Sequence, residues 1–175
     1  MSLKQPLNLS RRQLLLGGGA AGLVLAFIGS RGLGGSPAAA AETETYPVSH
    51  SEAEWRKLLS PSQYAVLRQE GTERPYSSPL NDEHHDGVFA CAGCAQDLFS
   101  SKTKFDSGTG WPSFWRPLDK AVLEHRDSSF GMTRTEIHCS RCGGHLGHVF
   151  DDGPQPTGLR YCMNGVAMSF KAGSA

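Results

Sequence analysis

Apolar positions along this chain change their period twice. Leu14 to Ile28 is an almost unbroken apolar run of about 15 residues, interrupted mainly by glycine. From Ser51 onward the spacing becomes helical, with Trp55, Leu58 and Leu59 on one stripe. Ser51 followed by Glu54 predicts a capping box that opens a short helix. Ser60-Pro61-Ser62-Gln63 repeats the signal with Pro at the first helical position. That second helix turns Tyr64 and Leu67 inward and is expected to stop at Gly71. Both stripes read as core packing without chemistry of their own.

From Pro75 to Gly87 the chain is rich in turn residues, and His84 and His85 fall there as solvated loop histidines. Beyond it the period becomes two. Short strands are predicted at Gly87–Ala90, Ala121–Arg126, Met132–Cys139, Leu146–Phe150, Leu159–Met163 and Val166–Phe170. No link between them reads as a long amphipathic crossover helix, so the sheets should be antiparallel. The expectation is a mainly β domain with two short helices in front, preceded by a loose polar tail from Glu42 to Val48.

Residues 1–41 do not read as part of that fold. Lys4, Arg11 and Arg12 precede the apolar run, and Ser36-Pro37-Ala38-Ala39-Ala40-Ala41 follows it. This is a charged, then apolar, then small-residue leader with an Ala-x-Ala-type cleavage site. Ser10-Arg11-Arg12-Gln13-Leu14-Leu15 looks like a twin-arginine signal, which addresses folded proteins to the twin-arginine export machinery. The expected product is exported, periplasmic or otherwise extracytoplasmic. An uncleaved anchor is the rival reading. Residues 42–175 then form one domain, expected to be monomeric, with 13 Lys and Arg against 17 Asp and Glu, a formal net charge of −4. A surplus of negative charge argues against nucleic acid as a partner.

Four of the five cysteines fall into two Cys-x-x-Cys pairs, Cys91/Cys94 and Cys139/Cys142. Four thiolates in two knuckles suit a closed tetrahedral zinc site with a structural role. The 44 residues between the pairs exceed the usual ribbon spacing, although the knuckles need only meet in space. Two disulfides, or a redox-active Cys-x-x-Cys, are the competing readings. Paired knuckles favour zinc.

Cys162 is the cysteine left over. In an extended Arg160-Tyr161-Cys162-Met163-Asn164, alternate residues share a face, so Arg160, Cys162 and Asn164 stand together. A guanidinium beside the thiol should favour the reactive thiolate. Upstream, His148, Phe150 and Asp152 share a face of another strand, with Asp152 placed to orient the imidazole. His145 is out of register with them unless a bulge intervenes near Gly147. Gly108-Thr109-Gly110-Trp111-Pro112-Ser113 describes a rigid loop presenting an indole, as a substrate wall or as a core anchor.

The order of these motifs (Cys-x-x-Cys, GTGWPSF, FGMTRTEIHCSRCGGHLGHVFDDGP, TGLRYCMN) resembles the methionine-R-sulfoxide reductases of the B type, from about Val48 to Phe170. The resemblance implies two twisted antiparallel sheets, a zinc site away from the reaction centre, and thiol-dependent reduction of the R epimer of methionine sulfoxide, free or in proteins. It implies Cys162 as nucleophile, surrounded by His145, His148, Arg160 and Asn164, with Asp152 supporting the imidazoles and Trp111 cradling the S-methyl group. Attack at sulfur would leave Cys162 as a sulfenic acid. Many members carry a second, resolving cysteine where this chain has Thr109. A one-cysteine cycle is therefore expected, with the sulfenic acid reduced by a thioredoxin-like protein or a small thiol. Two rivals remain: a non-catalytic zinc-ribbon binding module and a Cys-His hydrolase. The first leaves Cys162, His148 and Trp111 idle; the second lacks any stretch reading as an oxyanion hole.

Overall fold

The structure, a computed structural model, describes residues 45–128 and 131–173. The leader expected at 1–41 lies outside them. Helix α1 spans Glu52–Leu58 and helix α2 Pro61–Gln69. Both open with the capping boxes expected from Ser51 with Glu54 and Ser60 with Gln63, each satisfying end N–H groups by local side chains. Trp55, Leu59, Tyr64 and Leu67 are buried as the stripes require, but Leu58 is exposed. The left-handed residue that ends α2 is Glu70, one residue before the expected Gly71, whose N–H instead closes on Ala65 O.

The remaining described residues form nine strands. These are β1 (Gly87–Cys91), β2 (Asp97–Ser100), β3 (Lys104–Phe105), β4 (Ser113–Phe114), β5 (Val122–Asp127), β6 (Arg134–Cys139), β7 (His145–Phe150), β8 (Arg160–Met163) and β9 (Met168–Ala172). They make two sheets, ordered β2-β1-β9 and β3-β4-β8-β7-β6-β5, with every pairing antiparallel. A mainly β fold of two antiparallel sheets behind two helices is the expected class. β2, β3 and β4 are too short, or too unbroken in apolarity, to announce themselves in the sequence. Val166, expected inside the last strand, instead lies in a 3-10 turn, Gly165–Ala167.

The core sits between the sheets and under the helices. Phe89, Leu98, Phe99, Phe114, Ile137, Leu146 and Met163 are fully enclosed. Phe114 stacks on Phe99 at 4.4 Å and meets Phe89 edge-on at 4.9 Å. Each such ring contributes about 2–3 kcal/mol of apolar burial. Tyr161 and Met163 belong to this core, so the alternation of β8 turns Cys162 to the other face. The tail expected to be loose is tied down at Val48, whose N–H donates to Arg141 O at 2.9 Å.

Candidate active site

The two Cys-x-x-Cys knuckles meet. Cys91 closes β1, Cys139 closes β6, and the four sulfurs lie within 4.8 Å of one another. Cys91 Sγ is 3.7 Å from Cys142 Sγ, and Cys94 Sγ is 3.5 Å from Cys139 Sγ. A disulfide would need about 2 Å. Zn–S bonds of about 2.3 Å place tetrahedral sulfurs about 3.8 Å apart, which the cluster matches. Gly93 N–H donates to Cys91 Sγ at 3.4 Å, as a thiolate acceptor would require. Thiol–thiol contacts push Cys94 and Cys139 down and Cys91 and Cys142 up, so the four cannot all ionise until a cation sits among them. The residues fit a structural zinc ion.

The fifth cysteine stands elsewhere, in the middle of the six-stranded sheet. Register partners across that sheet form one row: Phe105, Ser113, Cys162, His148, Glu136 and His125. Antiparallel partners share a face, so this row lays a hydroxyl, a thiol, an imidazole and a carboxylate side by side. The close approach of β7 to β8 requires glycine at 147, because a Cβ there would lie 2.1 Å from Cys162 O. Trp111 immediately precedes Pro112 and β4, and its Nε1–H donates to Glu73 O at 3.2 Å. Cys162, His148, Trp111, Phe150, Asn164 and Arg134 line a cavity of about 150 Å³. None of the four knuckle cysteines reaches it.

Arg160 does not hold Cys162 ionised as the sequence led us to expect. Its guanidinium forks onto Asp152 at 2.8 and 2.9 Å and lies 4.4 Å over the Phe150 ring. Burial raises the Cys162 thiol above its ordinary value; Thr109, Arg160 and Ser113 pull it down by less. Desolvation of a thiolate costs more here than one shared cation returns. Cys162 rests as a thiol.

Asp152 does not orient an imidazole either; it is committed to Arg160. The partner of His148 is Asp127, at the end of β5, whose Oδ2 accepts from His148 Nε2 at 3.0 Å and from Arg134 Nη2 at 2.6 Å. Asp127 and Arg134 escaped sequence reading because their strand pairing, not their spacing, brings them together. Their one visible sign was alternation along Arg134-Thr135-Glu136 with polar side chains on a single face.

The bulge expected near Gly147 exists one residue earlier. His138 pairs His145 while Ile137 pairs Gly147, so Leu146 is the extra residue. His145 is thereby returned toward His148, with ring centroids 5.6 Å apart. It is 2% exposed, and burial pushes its pKa down to about 4 despite the opposing charge of Glu136. His145 is neutral at pH 7 and stands behind the cavity wall. Asn164, also buried, donates to Leu146 O at 3.0 Å and accepts from Glu73 N–H at 3.0 Å. Glu73 was missed by sequence reading. Its carboxylate caps the N–H groups of Gly165 and Val166, its carbonyl holds Trp111, and its N–H holds Asn164.

Thr109 lies against the Cys162 thiol, with Oγ1 3.9 Å from Cys162 Sγ. Its loop is clamped by Tyr76, whose hydroxyl donates to Gly108 O at 2.7 Å and whose N–H donates to Gly110 O at 2.7 Å. Gly110 has φ +89°, and a Cβ there would strike the Tyr76 ring at 2.7 Å. His84 and His85 stay in the solvated loop, as expected, with His85 paired to Glu83 at 2.7 Å.

Fold and site define a class: a two-sheet β protein with a metal-ready clip of four thiols and, apart from it, one thiol between an imidazole and an indole. The SelR domain matches residues 59–172, and the chain belongs to that family. It is 57% identical over 125 residues to the peptide methionine sulfoxide reductase MsrB of Agrobacterium fabrum, covering 71% of this chain and 93% of that protein. It is 58% identical over 126 residues to the protein of the same name from Methanosarcina barkeri, covering 71% and 88%. The Leptospira interrogans protein of that name is 53% identical over 127 residues, covering 72% and 97%.

Proposed function

We propose that the protein reduces the R epimer of methionine sulfoxide, free or within peptides and proteins, to methionine, and so repairs oxidised proteins. The observation that carries this reading is the juxtaposition of Cys162 with His148 in one ladder row, facing a cavity walled by Trp111 and Phe150. Relatives named as peptide methionine sulfoxide reductases support it over most of their length.

A sulfoxide sulfur is a modest electrophile, and its oxygen leaves only once protonated. The site therefore has to supply a thiolate, a proton and a dry aromatic pocket. The indole of Trp111 and the ring of Phe150 receive the S-methyl group and exclude water. As substrate binds, Cys162, raised by burial, gives its proton to His148; Arg160 and Thr109 stabilise the thiolate as it forms. Asp127 holds one ring nitrogen of His148 and so fixes its tautomer, leaving the other for the substrate. The thiolate attacks the sulfoxide sulfur, His148 hands that proton to the oxygen, and the methionine S–O bond breaks as the hydroxyl passes to the Cys162 sulfur. Methionine sulfur gains two electrons and Cys162 loses two, becoming a sulfenic acid. Two external thiol equivalents, from a thioredoxin-like protein or a small thiol, then return the sulfenic acid to thiol, with a disulfide and water as products. Asn164 and Glu73 keep the cavity floor in place.

Cys91, Cys94, Cys139 and Cys142 hold one zinc ion in this reading. Its contribution is structural, tying the end of β1 to the turn between β6 and β7. Residues 1–41 act as a twin-arginine signal, so the protein works outside the cytoplasm, loaded with metal before export; it works there as a monomer. The Arg11-Arg12 pair before the apolar run supports that placement; cell fractionation of wild type and an Arg11→Lys, Arg12→Lys variant tests it.

Incubation with dithiothreitol and each epimer of a methionine sulfoxide peptide tests the activity. Turnover of R, almost none of S, and loss of turnover in Cys162→Ser are expected. Equal turnover of both epimers, or activity surviving in Cys162→Ser, overturns the assignment.

A further inference from the structure

We propose that Glu136, His138 and His145 form a second metal site, separate from the cysteine clip, that takes one divalent cation of the cobalt-to-zinc series. Glu136 and His138 are two residues apart on β6 and share a face. The Leu146 bulge delivers His145 from β7 opposite His138. The three donor atoms, one from each side chain, lie within 4.8 Å of one another. Metal–nitrogen and metal–oxygen bonds of about 2.1 Å set ligand atoms about 3–4 Å apart, so small shifts suffice to close the site.

Hydrogen bonding leaves this cluster unsatisfied. Glu136 Oε1 is 2.9 Å from His138 Nε2 and also touches His145 Nδ1, yet all three atoms are buried without a hydrogen-bond partner. The distances are short enough, so the alignment is what fails. Orphaned buried polar atoms are rare and call for an occupant. His138 shows which one. Its Nδ1 lies 3.0 Å from Gly143 O, and a carbonyl only accepts, so Nδ1 carries the proton. In that tautomer Nε2 keeps the lone pair that a metal takes up, and a cation among the three orphaned atoms would give each of them a partner. An imidazole whose far N–H is held by a backbone carbonyl is the usual outer arrangement of a metal-ligating histidine.

Two imidazoles and one carboxylate are a donor set for borderline divalent ions rather than for calcium or magnesium. Three protein ligands leave positions open for water. Glu136 and His145 border a cavity of about 390 Å³ that gives an ion and its waters a way in. Thr72, Arg134 and His148 line this cavity and the one around Cys162 alike, so the ion would sit beside the reaction site without occupying it.

The test is equilibrium dialysis of the zinc-saturated protein against Co²⁺, with cobalt and zinc counted per chain, and cobalt-edge X-ray absorption on the wild-type protein. One cobalt per chain is expected, with zinc retained, weak visible absorption, and nitrogen and oxygen scattering that includes two imidazoles. His138→Ala and Glu136→Gln should each weaken cobalt binding about tenfold or more, while Cys162→Ser leaves it unchanged. No bound cobalt overturns the site. Sulfur scattering or a thiolate charge-transfer band also overturns it, by placing the ion on a cysteine. Because the absorption measurement uses the wild-type protein, misfolding of a variant cannot rescue the idea.

Discussion

Asp127 Oδ2 lies 3.0 Å from His148 Nε2, joining the end of β5 to the middle of β7 across the intervening β6. Arg134 binds the same oxygen at 2.6 Å and keeps the carboxylate from turning away. A histidine gripped at one nitrogen has a defined second nitrogen, which a proton donor to the sulfoxide needs. Asp127→Asn should therefore lower kcat about tenfold or more with little change in KM. Asp152→Asn, which frees Arg160 and leaves His148 alone, should cost less. Steady-state kinetics of the two variants check this, and the reverse order would return the role to Asp152.

Thr109 occupies a spot from which a second thiol could reach Cys162, with Oγ1 at 3.9 Å from Sγ. A side-chain rotation covers the difference to a disulfide bond length of about 2 Å. Thr109→Cys should trap Cys162 as an internal disulfide after a single turnover without reductant. The wild type should carry one added oxygen on Cys162 instead. Mass spectrometry of the quenched proteins reads both; a wild-type disulfide involving Cys162 would sink the one-cysteine cycle.

Burial raises the Cys162 thiol above its reference value of 9.0. Alkylation by iodoacetamide follows the thiolate, so its rate should keep climbing through pH 9 without a plateau below it. Thr109→Val removes the largest opposing interaction and should shift the profile further upward. A plateau near neutrality would mean that Arg160 outweighs desolvation after all.

His145 titrates at about 4 when folded, against 6.5 as a reference. The unfolded chain therefore binds this proton first as pH falls, and stability present above about pH 6.5 is lost on the way down to about pH 4. At about 1.4 kcal/mol per pH unit the loss reaches about 3 kcal/mol. Glu136, held below its usual range by His138 and His145 against the pull of burial, acts in the same direction near the acid end. Urea unfolding at pH 7 and pH 5 should show the fall in wild type and a flatter response in His145→Gln. Parallel curves would place a solvated histidine there.

The four-thiol clip joins β1 to the β6–β7 turn, and α2 leans on it through Arg68 Nη1, which donates to Cys142 O at 3.0 Å. Cys139→Ser, or stripping the metal with a strong chelator, should lower Tm by about 10 °C. One zinc per chain by elemental analysis is the companion observation. An unaltered Tm with no zinc would make the cluster a set of ordinary buried thiols.

Local order determined much of this in advance. The capping boxes, the inward Trp55, Leu59, Tyr64 and Leu67, and the antiparallel strands follow from spacing and end chemistry, which act over a few residues. Cys-x-x-Cys pairs likewise announce a metal clip, because a knuckle is a local shape. The exposure of Leu58, the tied-down segment at Val48 and the end of α2 at Glu70 departed from that pattern, since each depends on what packs from elsewhere.

The identities of Cys162, His148 and Trp111 could be read from the chain, but not their relations. Strand register alone set Cys162 between Ser113 and His148, and a one-residue slip would have turned that face into the core. Sequence neighbours suggested Asp152 for His148 and Arg160 for Cys162; the sheet paired Asp152 with Arg160 and brought in Asp127 from two strands away. Burial then decided the charge of the thiol, because desolvation depends on every atom that closes over a group and no stretch of chain encodes it. Periodicity writes the strands and the clip, whereas proton affinities and partners belong to the folded arrangement.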